Sequence, residues 1–167
     1  MPELVTRLRP RASVRLQVSV RALADTAGHA VGGVSLPQKP NRWNGEEPLI
    51  WWMAPDAWLI QSAQAGHDVA AMARSACADL ACAVTDLSDA LETIALDGPV
   101  ASAVLARGCG LDLGEESFGL QACARTRLAQ LPVLVRKATS TRFELVVDRA
   151  AAQFLADWLR DAAIGAD

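Results

Sequence analysis

The sequence lacks any apolar run approaching the ~18 residues that a membrane-crossing helix needs, so no membrane partner is expected. No apolar stretch of signal-peptide type follows Arg7, Arg9 and Arg11, and the cytoplasm is the expected compartment. Positive charge is short: 16 Lys and Arg face 19 Asp and Glu, leaving a net charge of -3 and a pI near 5.4. That balance excludes general nucleic-acid binding, which rests on neutralising phosphates. The four cysteines, Cys77, Cys82, Cys109 and Cys123, show no Cys-x-x-Cys and no neighbouring histidine. They read as reduced core residues, and no metal site is expected. The two histidines, His29 and His67, belong to no metal or nucleophile signature. Gly28 to Gly33 lacks the G-x-G-x-x-G order, and Gly108-Cys109-Gly110 is not followed by Lys-Ser/Thr. Dinucleotide and nucleotide sites of the usual types are therefore excluded.

What is present is ordinary globular material. Hydrophobic residues make up 51% and charged residues 21% of 167 residues, which suits one domain, read as spanning residues 1–167. Val14, Leu16, Val18 and Val20 alternate with polar residues, predicting a strand over 12–21 with one wet face. Glycine, proline and asparagine punctuate 22–47, expected as a long loop with a short strand near Ala30 to Leu36. Strands at 49–54 and 57–62 flank Pro55-Asp56, a tight-turn pair. A helix is predicted over 67–81, with Val69, Met72, Ala73, Ala76, Cys77 and Leu80 on one face. Strands at 82–87 and 91–97 follow. The next helix has Gly98 as its N-cap, Pro99 at its first position and Gly108 as a left-handed stop. Strands at 121–129, 131–137 and 142–147 precede a last helix, 149–162, capped by Asp148. Its apolar stripe is Ala151, Phe154, Leu155, Trp158, Leu159 and Ala162. Three times a strand pair leads into a helix. The class is α+β, with largely antiparallel sheets and helices packed on one face.

Candidate chemistry is sparse. Glu46-Glu47 and Glu115-Glu116 read as solvated turns. Asp86, Ser88 and Asp112 suit turn-stabilising contacts, with ligand orientation as the alternative. The tryptophans say more. Trp43, Trp51, Trp52 and Trp58 crowd into a short stretch, although aromatics are only 5% of the chain. Alternation sets Trp51 with Leu49 and Met53, and Trp52 with Ile50 and Ala54, so both faces of that strand are apolar. Either it is a central strand covered on both sides, or Trp43, Trp51, Trp52 and Met53 form a partner interface. Expressed alone, the chain is expected to self-associate through this patch or to be poorly soluble.

Several segments, in order, resemble the gamma subunit of heterotetrameric sarcosine oxidase. They are Ala54-Pro55-Asp56-Ala57-Trp58-Leu59, Val84-Thr85-Asp86-Leu87-Ser88 and Leu96-Asp97-Gly98-Pro99 through Val104-Leu105 to Gly108-Cys109-Gly110-Leu111-Asp112-Leu113. Phe118, Cys123-Ala124-Arg125-Thr126, Phe143-Glu144-Leu145-Val146-Val147 and Trp158-Leu159 continue the series, and the likeness spans about residues 54–162. Gly114 stands where that family often has a histidine, and Asp148-Arg149-Ala150 replaces a Pro-Arg-Ser helix start. The resemblance implies a fold similar to the folate-binding domain of the aminomethyltransferase (T-protein) family. It also implies a non-catalytic role, without catalytic, cofactor or metal residues of this chain's own. FAD, FMN, NAD and tetrahydrofolate are expected on the other subunits, chiefly the large ones, which are the expected partners. The competing readings are a stand-alone folate-binding or aminomethyltransferase-like protein, which the short length disfavours, and an interaction module outside metabolism.

Overall fold

A computed structural model describes residues 4–64 and 68–166. In chain order the elements are β1 (Val5–Arg7), β2 (Ala12–Val18), a 3-10 helix (Val20–Thr26), β3 (Ala30–Val31), β4 (Val34–Ser35), β5 (Trp43–Asn44), β6 (Leu49–Ala54) and β7 (Ala57–Ser62). Then come α1 (Val69–Ala76), β8 (Cys82–Asp86), β9 (Leu91–Asp97), α2 (Ala101–Ala106), β10 (Cys123–Leu128), β11 (Leu131–Lys137), β12 (Arg142–Asp148) and α3 (Arg149–Ala163). Where one domain was expected, the chain divides into two compact units, residues 10–89 and residues 1–9 with 90–167.

The unit of residues 10–89 holds a five-stranded sheet ordered β5-β6-β7-β2-β8, antiparallel throughout. The Pro55-Asp56 turn joins β6 to β7 as expected, with Ala54 opposite Ala57. Strand β2 stops at Val18, earlier than its alternation suggested, because Val20 onward winds into the 3-10 helix. The 22–47 segment is thus richer than a loop, holding part of that helix and β3, β4 and β5. One core gathers Val14, Leu16 and Val18 of β2 with Ile50, Trp58 and Ile60, under Val69, Ala73 and Cys77. Helix α1 is shorter than predicted. Asp68 caps it, accepting from the Ala71 N–H at 2.8 Å, and Cys77 has left helical geometry. Residue 67 lies outside the described residues.

The second unit holds another antiparallel sheet, ordered β1-β9-β12-β11-β10. Its core joins Ile94, Leu96, Val133, Val135, Phe143, Leu145 and Val147 to Val104 and Leu105 of α2 and Leu155 and Leu159 of α3. Three expectations change here. Strands β8 and β9 are not a hairpin; they belong to different sheets, so strand-pair-then-helix is not a threefold repeat. Helix α2 begins at Ala101, with Gly98 and Pro99 in the preceding turn, closed by the Ala101 N–H donating to the Gly98 carbonyl at 3.0 Å. Gly108 is not left-handed. A Cβ there would stand 2.5 Å from Trp158 Cη2, so its bare backbone makes room for the indole. Asp148 begins α3 without a side-chain capping bond. The helix buries Ala152, Leu155, Ala156 and Leu159, while Phe154 is 56% exposed. Ala151, Trp158 and Ala162 of the expected stripe also pack, half-buried, against this core, so Phe154 is the one residue of that stripe that departs from it. Between β10 and β11 a two-residue loop puts Ala129 and Gln130 at φ 50 and 67, the geometry of a type I′ turn.

Candidate partner interface

The β6–β7 hairpin places the tryptophans. Trp51 is fully buried, opposite Trp43 on β5, which is also buried. A buried indole needs an acceptor for its N–H. Trp51 Nε1 donates to Gln61 Oε1 at 3.0 Å, and Gln61 Nε2 donates to Ser13 Oγ at 3.0 Å. Ser13 Oγ passes the chain to the Arg11 carbonyl at 3.1 Å. Trp58, in the α1-side core, donates to the Pro37 carbonyl at 2.9 Å. A bulge falls between Trp52 and Ala54, where β6 slips against β7. It breaks the alternation that grouped Met53 with Trp51. Trp52 and Met53 are half-buried. Of the four candidate interface residues, Trp43 and Trp51 therefore sit in the interior, and Trp52 and Met53 retain exposed surface.

The second sheet carries polar groups that local patterning did not reveal. Arg136 and Glu144 are register partners on β11 and β12, both buried, with Arg136 Nη2 3.0 Å from Glu144 Oε2. Arg142 extends the network, 3.4 Å from Glu144 Oε1 and 3.4 Å from Asp97 Oδ2. Lys137, also buried, holds its ammonium 5.9 Å from the centre of the Phe143 ring. Only pairing across strands identifies these charges as partners, since Arg136 and Glu144 are separated by the β11–β12 turn. On β1, the Arg7 guanidinium grips both carboxylate oxygens of Glu92, with Nη2–Oε2 at 2.8 Å. The guanidinium holds the Glu92 carboxyl below the usual carboxylate range.

The remaining sequence candidates resolve into local structure. Asp86 Oδ1 accepts from the Ser88 hydroxyl at 2.6 Å and the Ser88 N–H at 2.9 Å. Asp112 accepts from the Gly114 N–H at 2.9 Å and the Ser117 hydroxyl at 2.6 Å. These bonds stabilise the carboxylates, so both pKa values fall below the ordinary one. His29 Nε2 lies 3.0 and 3.3 Å from the two oxygens of Asp79, and this contact lowers the Asp79 pKa. Glu47 accepts from the Ala63 N–H at 2.9 Å. All four cysteines are free thiols, and burial pushes Cys77 up to about 11. Among the described residues no group of three or more His, Cys, Asp and Glu is arranged to hold a metal. No described helix is long and apolar enough to cross a membrane.

Tetrahydrofolate, implied by the resemblance, needs paired polar groups against its pterin ring and a cation for its glutamate tail. The open groove beside Val18 and Cys82 offers Gln17 and Asp56, already joined at 2.9 Å. The groove between Gly32 and Met72 offers the Ser75 hydroxyl as its side-chain polar group. Neither opening has a cation, and neither fits the cofactor.

Comparison with known proteins adds to this geometry. The GCVT N-terminal domain family matches residues 45–166. The sarcosine oxidase subunit gamma of Corynebacterium sp. (strain P-1) is 32% identical over 152 residues, covering 87% of this chain and 74% of that one. The subunit of the same name from an Arthrobacter species gives the same identity and coverage. In structure, a chain of the heterotetrameric sarcosine oxidase from Corynebacterium sp. U-96 superposes with a TM-score of 0.82 at 24% identity, over 95% of this chain and 82% of that one. The glycine cleavage system aminomethyltransferase T from Bartonella henselae superposes at 0.69 and 17% identity, over 93% of this chain and 44% of that one. The last two likenesses concern the fold alone, which this chain shares with part of the aminomethyltransferase T chain.

Proposed function

Since the chain belongs to the sarcosine oxidase gamma-subunit family, we propose that it works as a non-catalytic subunit of a flavin-dependent sarcosine oxidase complex in the cytoplasm. The complex oxidises the N-methyl group of sarcosine, giving glycine and a one-carbon unit passed to tetrahydrofolate. The observation that carries this reading is the identity with named gamma subunits over most of both chains. In this reading FAD, FMN, NAD and tetrahydrofolate belong to the other subunits, and this chain contributes binding surface. Missing phosphate-binding loops in the sequence support that division. Trp52 and Met53, half-buried beside the β6 bulge, contribute to the surface.

The test is co-expression of the tagged chain with the large flavoprotein subunits of a sarcosine oxidase. The chain should co-purify with them in fixed stoichiometry, and leaving it out should lower the yield of assembled, sarcosine-oxidising complex. Trp52→Ala should weaken assembly by ~2 kcal/mol with an unchanged circular dichroism spectrum. A chain that never co-purifies is not a subunit of such a complex.

A further inference from the structure

The two five-stranded sheets have four edge strands, and three are protected. Strands β5 and β1 are only two and three residues long. Strand β10 carries exposed Arg125 and Arg127, and its end is bridged by Cys109 opposite Leu128. Short edges, edge charges and covering segments are the usual means of blocking strand addition. Strand β8, Cys-Ala-Val-Thr-Asp, has five residues, no proline, no bulge and no charge before Asp86.

Its ladder to β2 fixes which groups face outward. The Ser19 N–H donates to the Ala81 carbonyl and the Leu87 N–H to the Ser13 carbonyl, each at 2.8 Å. In an antiparallel ladder hydrogen-bonded residues alternate, so Ala81, Ala83, Thr85 and Leu87 turn toward β2. The backbone groups of Cys82, Val84 and Asp86 therefore point out from the sheet, and among the described residues no strand pairs with them. Ala83, Thr85 and Asp86 are exposed. An open groove reaches the start of the strand, lined by Val18, Val20, Cys82 and Ala83, with Val20 74% exposed. At the far end Asp86 uses Oδ1 for Ser88 and leaves a carboxylate at the edge.

We infer that β8 is a docking edge that takes an extended segment of another subunit as a sixth strand, aliphatic opposite Val84 and bearing a lysine or arginine opposite Asp86. Charge complementarity selects that occupant over a second copy of this chain. Self-pairing centred on Val84 would set each Asp86 against the Cys82 thiol of the other copy and bring it no cation beyond Arg74 of its own chain. The inference rests on the subunit reading, and the edge lies at the opposite end of the sheet from β5 and β6.

The experiment compares wild type, Val84→Pro and Asp86→Lys, each tagged and co-expressed with the large flavoprotein subunits. Amide hydrogen exchange is measured on the free and assembled wild-type chain. Proline at 84 removes an outward N–H and leaves the β2 ladder intact, as proline does on edge strands. The expected result is protection of the Cys82, Val84 and Asp86 amides in the complex. Affinity for the partner should drop about tenfold or more in both variants, with wild-type circular dichroism. If Val84→Pro unfolds, Asp86→Lys and the exchange pattern decide. Wild-type assembly with unchanged exchange at these amides, or full assembly of Asp86→Lys, overturns the docking edge and leaves the subunit reading standing. A wild-type chain that does not co-purify overturns both. A stable homodimer of the isolated chain, abolished by Val84→Pro, makes the occupant a second copy and overturns the assignment to another subunit.

Discussion

Trp158 and Gly108 show how one missing side chain governs packing. The indole occupies the space a Cβ at position 108 would need, with Cη2 and Cζ2 at 2.5 and 2.6 Å from it. Gly108→Ala should therefore destabilise by ~1–3 kcal/mol, the usual cost of overpacking. Adding Trp158→Ala should remove most of that increment, so the double mutant will lose less than the sum of the singles. Chemical denaturation of the four proteins measures this. The sequence placed Gly108 at a helix end but assigned it a left-handed stop, because the tryptophan it serves comes from α3, far along the chain. The tryptophan cluster was legible in the same partial way. Alternation says which side chains share a face; it does not say what covers the face. Burial of Trp51 is satisfied through Gln61 and Ser13, and no spacing rule links those three residues. The bulge at Met53 depends on how β6 slips against β7, which neither strand encodes alone.

Among the elements, the clearest readings came from strong local signals. Strands 49–54 and 57–62 were placed to the residue because two continuous apolar runs meet at a proline-aspartate turn. Helix α3 was placed nearly as well, and its expected stripe packs on the core except at Phe154, which is exposed. The six apolar residues run past the edge of the core at Phe154, while Ala152 and Ala156, outside the expected stripe, are fully buried. Leu155→Ala should cost about 2–5 kcal/mol, whereas Phe154→Ala should lie within about 0.5 kcal/mol of wild type. Thermal melts of the two variants test this, and equal losses would return Phe154 to the packed face. The β8–β9 pair was misread because two strands joined by a short link look alike in sequence whether they pair or part. Only the register of β8 on β2 and of β9 on β12 distinguishes the cases.

At the scale of the molecule, antiparallel sheets were legible from composition and periodicity, while the division into two units was not. Acid stability belongs to this scale. Asp79, Asp86, Glu92 and Asp112 all ionise more readily in the folded chain than their ordinary values of 3.8 for Asp and 4.5 for Glu. The unfolded chain then binds more protons, so their contribution is present above those values and disappears as pH falls through the folded ones. The melting temperature should fall below about pH 4.5, and Glu92→Gln should lie below wild type at pH 7 but converge with it in acid. The division itself is an insertion, since β1 precedes residues 10–89 and its partner β9 follows them. The inserted unit holds its own entry and exit together, with the Ser13 N–H donating to Ser88 Oγ at 3.0 Å. During synthesis β1 emerges well before β9 and cannot complete this pairing until β9 has been made. Once residues 10–89 have folded, they no longer count as a free loop to be closed, and β1 arrives beside β9 at little entropic cost. Strand β1, made well before its partner β9, is thus among the last of the described strands to be locked into its sheet.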